Sequence, residues 1–141
     1  MELQSLRFVA TEADLNDLAA NLLPPNDKVR HIQITVVPEG IRVTGTYQTL
    51  IGIPVETLWE VFIAEGKIAA RLKKFKAGVL SLGLAKGYVL DAIAAAVGRV
   101  ELRGESLFFD IDAFLREKGL PLHTNLRSAR CDCGRLIIEG G

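Results

Sequence analysis

The chain has 141 residues, a length usual for one domain and enough to bury roughly two thirds of the surface that an unfolded chain exposes. Seventeen basic residues balance seventeen acidic ones, so the net positive field that holds an extended polyanion is missing and nucleic acid is not an expected partner. Hydrophobic residues make up 49% and aromatics only 6%, and this aliphatic excess needs a large core, an apolar ligand, a partner or a membrane face to cover it.

Leu3 to Ala10 reads as a first strand, after which Thr11-Glu12-Ala13-Asp14 has the form of a capping box opening a helix. Leu15, Leu18, Ala19 and Leu22 follow at helical spacing, and Pro24 and Pro25 stop the helix. From Val29 the period becomes two. Ile32, Ile34 and Val36 alternate with His31, Gln33 and Thr35, and beyond the turn Pro38-Glu39-Gly40 the residues Ile41 and Val43 continue the pattern, which predicts a hairpin with one buried face. A third strand from Val55 to Ala64 turns at Glu65-Gly66 into a fourth beginning at Lys67.

Between Val79 and Val97, Leu80, Leu82, Leu84, Val89, Leu90, Ile93 and a run of alanines cover nearly the whole circumference of an expected helix. Lys86 and Asp91 argue against a membrane span, since each costs about 2.5–3.5 kcal/mol near a bilayer centre. Strands resume at Val100 to Leu102 and Leu107 to Phe109, a short helix is expected over Asp112 to Lys118, and a last hairpin turns near Cys133-Gly134. The predicted class is therefore α+β: a mainly antiparallel, curved sheet of hairpins packed on one long apolar helix, plus two short helices. No linker divides the chain, so residues 1–141 are read as one domain. Ile34 to Gly45 and Ala129 to Gly140 share the form strand, glycine-containing turn, strand, glycine; two ordinary hairpins account for this, because the turn geometry itself selects glycine.

Catalytic motifs are lacking. There is no G-x-S-x-G, no G-x-x-x-x-G-K-[ST] and no G-x-G-x-x-G. Asp110 and Asp112 stand where a strand gives way to a helix, and Asp112 is expected to serve as its N-cap rather than as half of an acid/base pair. His31 and His123 have no Ser or Cys motif nearby that would make either the base of a nucleophilic pair. Cys131 and Cys133, expected on one face of a strand, lack the two further ligands a zinc site needs, so neither a metal nor a cofactor is expected. The opening MELQSLRFVATEADL lacks the basic cap and apolar stretch of an export signal, and with two free thiols the expected location is cytoplasmic, possible contact with a membrane surface being peripheral.

The segment Lys67 to Lys76 carries five cations and no acid. Lys67, Arg71 and Lys73 are expected on one strand face, with Ile68, Ala70 and Leu72 on the other; the cations either form a solvated face balanced by Glu56 and Glu60 or, at Arg71, Lys73 and Lys74, meet an anionic headgroup or membrane surface.

The succession IQITVVPEGIRVTGTYQ, EGKIAARLKKFK, GLAKGYVLDAIAAAV and NLRSARCDCGRLIIEGG resembles the LmeA-like phospholipid-binding family and, more distantly, the tubular lipid-binding domains, over roughly residues 29–141. The resemblance is one of element order and hydrophobicity. It implies a curved antiparallel sheet wrapping a helix around an apolar groove, hence binding rather than catalysis. This chain departs from such proteins in lacking an export signal or anchor and in being short for a complete lipid tube. The function expected from the sequence is non-enzymatic binding of a lipid or other long apolar ligand between sheet and helix, with Leu84, Tyr88, Val89 and Ile93 lining the groove and Arg71, Lys73 and Lys74 at the headgroup. The alternative is a structural or protein-interaction module that uses the same apolar surface to form a homo-oligomer.

Overall fold

A computed structural model of the chain describes residues 4–22, 29–48, 52–78, 87 and 100–141. The strands and helices are β1 (Leu6–Thr11), α1 (Glu12–Leu22), β2 (Val29–Val37), β3 (Gly40–Gln48), β4 (Gly52–Ala64), β5 (Lys67–Lys76), β6 (Val100–Arg103), β7 (Ser106–Phe109), α2 (Ile111–Glu117), β8 (Leu126–Asp132) and β9 (Arg135–Gly140). They build two antiparallel sheets, one of six strands in the order β2-β3-β4-β5-β7-β6 and one of three in the order β1-β9-β8.

Period-two patterning makes the larger sheet a meander from β2 to β5. At the β4–β5 turn Glu65 and Gly66 both take positive φ (54° and 71°), the pair of left-handed residues that a two-residue hairpin turn requires to match the twist of its strands. Cross-strand register then sorts the side chains. Ile41 opposes Trp59, Trp59 opposes Leu72, Val61 opposes Ala70, and Ile63 opposes Ile68, while Ala70 and Ile68 oppose Leu107 and Phe109 on the next strand. One face of the sheet is therefore apolar along most of its width.

The smaller sheet lies on part of that face. Ala10, Leu126, Leu136 and Ile138 are buried against Ile41, Val61, Ile63 and Ile68 of the larger sheet, with Leu15 of α1 and Ile111 of α2 at the margin. Fully burying a Leu or Ile side chain contributes about 1.5–3 kcal/mol. A surface ion pair contributes about 0–1 kcal/mol. The join between the layers is thus held by these side chains and not by the charges outside.

This arrangement corrects the expected sheet-on-long-helix architecture. Among the described residues a second sheet packs on the larger one, α1 and α2 are short, and no long apolar helix is present. The physical reason is that β1, β8 and β9 carry enough alternating apolar residues, Leu6, Ala10, Leu126, Leu136 and Ile138, to make a layer of their own once the two ends of the chain pair as β1 with β9. The expected helix from Val79 to Val97 lies outside the described residues, Gly87 apart. No helix among the described residues is long and apolar enough to cross a membrane.

Helix α1 opens with the expected capping box: Thr11 N–H donates to Asp14 Oδ2 (3.0 Å) and Asp14 N–H to Thr11 Oγ1 (3.2 Å). Its side chains close the edge of β2. Asn16 accepts from Ile34 N–H at Oδ1 (2.8 Å) and donates from Nδ2 to Ile34 O (2.9 Å), taking the place of a neighbouring strand. Glu12 Oε1 accepts from Val36 N–H (2.9 Å), and Gly134 N–H of the β8–β9 turn donates to Val36 O (3.0 Å). The exposed edge of the larger sheet is thereby blunted against strand addition.

Local departures from the sequence reading follow from irregularities in the ladder. The β2–β3 ladder shifts register between Arg30 and Gln33, with His31 at φ 58°, and toward this irregular end of β2 Ile32 is exposed while Val36 is buried. Asp110, not Asp112, is the N-cap of α2, accepting from Ala113 N–H at 3.0 Å. Asp112 instead binds the buried Thr124, whose hydroxyl (2.6 Å) and N–H (3.1 Å) both donate to its Oδ1.

Candidate functional site: the apolar face around Trp59

Beyond the part covered by the smaller sheet, the apolar face continues into a second cluster. Trp59 of β4 and Leu72 of β5 are buried at its centre, and half-buried Val43, Ala70, Phe75, Leu102 and Leu107 surround them. All seven come from neighbouring strands of one sheet and share one face, as the pairings Val43 with Thr57, Thr57 with Phe75, and Leu102 with Leu107 require. A register shift between Leu58 and Trp59 locally re-aims the strand pair at the centre of this surface.

The polar atoms here are already engaged. Trp59 Nε1–H donates to Thr57 Oγ1 (2.8 Å), and the Thr57 hydroxyl donates to Val43 O (3.2 Å). A buried indole N–H without a partner would lose about 1–3 kcal/mol, so the threonine two residues away lets a tryptophan occupy an otherwise aliphatic face. Among the described residues no buried side-chain nitrogen or oxygen lacks a partner. The indole and hydroxyl groups of the cluster are thus satisfied within the sheet, and its remaining contacts are apolar.

The sequence-predicted cations gather on the opposite face. Glu60 receives Arg71 Nη2 (3.0 Å) and Lys73 Nζ (2.8 Å), and Lys73 first, then Arg71, hold its carboxyl below the usual carboxylate range. Lys74 is exposed opposite Leu58. Arg42 pairs with Glu56 at 3.2 Å. Arg103 is clamped between Glu101 (3.0 Å) and Glu65 (2.9 Å), which raise its pKa in that order, and its guanidinium lies 4.6 Å from the centre of the Phe108 ring. Here the charges balance in space. Arg71, Lys73 and Lys74 are brought together on the face of the sheet opposite Trp59. Leu84, Tyr88, Val89 and Ile93 lie outside the described residues.

Trp59, Leu72, Phe75 and Leu107, which form this cluster, were not among the candidate site residues singled out from the sequence. A signal existed: the one tryptophan of the chain stands in phase with Val61 and Ile63, two residues after a threonine able to take its N–H.

Cys131 and Cys133 are separated. Cys131 is half-buried in β8 and faces the core opposite Leu136, whereas Cys133 is exposed in the turn, where its N–H donates to Asp132 Oδ1 (2.7 Å). The expectation of a shared strand face fails because β8 ends at Asp132. Among the described residues no three His, Cys, Asp or Glu side chains converge as a metal site. Burial pushes the Cys131 thiol up. Since the thiolate is the reactive form, iodoacetamide at pH 8 should label Cys133 about tenfold faster than Cys131, with the ratio narrowing as pH rises. Peptide mapping by mass spectrometry checks this, and equal rates would contradict the buried placement of Cys131.

No protein-family model, curated protein or solved structure matches the chain.

Proposed function

We propose that the protein is a non-enzymatic binding module that takes a lipid acyl chain or another long apolar molecule on the face around Trp59 and Leu72. The observation that carries this reading is the chemistry of that face: a contiguous cluster of large apolar side chains from β3, β4, β5, β6 and β7, beyond the smaller sheet's cover, with its indole and hydroxyl groups satisfied internally. Contact area without free polar groups favours ligands by shape and desolvation and gives no means of polarising a bond. The candidate acids found in the sequence have structural employment, Asp110 as a cap and Asp112 as the acceptor for Thr124. The resemblance to phospholipid-binding proteins implies the same ligand class. Two free thiols suit a reducing compartment such as the cytoplasm.

Protein purified without detergent and extracted into organic solvent should release an acyl lipid at close to one equivalent per chain, read by mass spectrometry. Phe75→Lys, at the half-buried margin of the cluster, should reduce that yield severalfold while the chain stays folded by circular dichroism. An empty extract, together with no uptake of added fatty acid, would overturn the proposal.

A further inference from the structure

We infer that the outer edge of β1 is a self-pairing surface, on which a second copy of this chain adds its own β1 antiparallel about a two-fold axis at Phe8. β1 is the edge strand of the smaller sheet, and among the described residues no strand pairs with its outer side. Its inner side is fixed by β9, with Leu6 opposite Gly140, Phe8 opposite Ile138 and Ala10 opposite Leu136. The alternation of the ladder assigns each backbone group a direction. Glu12 N–H donates inward to Gly134 O, whereas Thr11 N–H turns away from β9 to Asp14. Counting back by two, Ala10, Phe8 and Leu6 point their N–H and C=O groups at β9, and Val9 and Arg7 point theirs at the free edge.

The open stretch therefore consists of two residues flanking Phe8, since Thr11 N–H is already taken. This set is self-complementary. With Phe8 opposite Phe8 of a second copy, Arg7 pairs with Val9 and Val9 with Arg7, and the N–H and C=O of each residue exchange hydrogen bonds with its opposite number. The outward donors and acceptors of Arg7 and Val9 on both edges are then all used. Among the described residues Phe8 is the most exposed of the large apolar side chains, at 56%, and Val9 is 39% exposed. In a non-hydrogen-bonded pair the two Phe8 rings meet across the axis, where side chains stand closest, and each covers the other. Arg7 falls beside Val9 of the other copy and opposite Glu139 of its own sheet, so its charge is not forced against a like charge. The larger sheet does not offer this choice at β2, whose edge groups are closed by Asn16, Glu12 and Gly134. An unrelated extended peptide could meet the same backbone groups, but only a second copy satisfies the two-fold match about Phe8.

Sedimentation velocity from low micromolar to several hundred micromolar protein tests the pairing, alongside amide hydrogen exchange. The wild-type chain should pass from monomer to dimer, with protection of Arg7 and Val9 amides rising with concentration and that of Phe8 unchanged. Val9→Pro removes an outward donor without breaking the β1–β9 ladder, and it should remain a folded monomer throughout. Phe8→Lys, which sets two ammonium groups face to face at the axis, should weaken dimerisation at least tenfold and decides the matter if Val9→Pro does not fold. A wild-type monomer at every concentration, or a dimer whose affinity both folded variants leave unchanged, would overturn the inference. A ligand-induced change in Trp59 fluorescence in a monomer would leave the binding function standing while removing this surface.

Discussion

Trp59→Ala is expected to lower stability by about 3–5 kcal/mol, the usual range for removing a large aromatic from a core. Trp59 is 5% exposed, lies against Leu72 with Val43, Phe75 and Leu107 around them, and engages the Thr57 hydroxyl. For a chain of this length the loss corresponds to a fall of about 10–15 °C in thermal midpoint. Trp59→Phe keeps most of the apolar contact and gives up the indole hydrogen bond to a hydroxyl that still has Val43 O as acceptor, so about 1–2 kcal/mol should be lost. Thermal unfolding followed by circular dichroism separates the two. Similar midpoints for the alanine and phenylalanine variants would show that Trp59 is not packed as described.

Gly40→Ala should prevent stable folding or remove more than about 3 kcal/mol, because two obstacles coincide at one atom. The residue sits at φ +148°, and a Cβ there would lie 2.0 Å from the carbonyl oxygen of Trp59 and 2.9 Å from its carbon. Both are backbone atoms of the strand that carries the candidate site, so relief requires β3 and β4 to part beside Trp59. Gly66→Ala is the control. Its φ is +71° and nothing lies within 4 Å of the added Cβ, which leaves only the left-handed backbone cost of about 1–2 kcal/mol. Urea denaturation of both variants should show the larger loss at Gly40, and equal losses would contradict the close approach of the two strands.

The contrast between these two glycines also shows what was legible in the sequence. Glu65-Gly66 announces a turn because its requirement is local, and the hairpins from Val29 onward, the capping box at Thr11 and the turn at Cys133-Gly134 were readable for the same reason: period and turn chemistry are written in adjacent residues. Gly40 is constrained by Trp59, a contact between strands that no local pattern encodes. Likewise the pairing of β1 with β9 joins the two ends of the chain, and without it the apolar alternation of β1, β8 and β9 looks like more of the same sheet. The extra residue between Arg30 and Gln33 was equally silent, because nothing in the alternation of β2 announces where the ladder will slip. The cluster around Trp59 went unforeseen for a related reason. The sequence reading sought the ligand surface in Leu84, Tyr88, Val89 and Ile93, where hydrophobicity is densest, whereas the described apolar face is assembled from alternate residues of five strands and is dense only after they pair.

Because the chain has a single tryptophan and that tryptophan lies at the centre of the proposed site, its fluorescence reports on this surface alone. Titration with a fatty acid brominated along its chain, beside the same acid unbrominated, is the most direct measurement, since bromine quenches an indole only in contact with it. Saturable quenching by the brominated acid, absent with the unbrominated one and lost in Phe75→Lys, is the expected result. Binding of the acyl chain, confirmed by calorimetry, with no difference in Trp59 emission between the two acids would place the ligand elsewhere and contradict the assignment of this face.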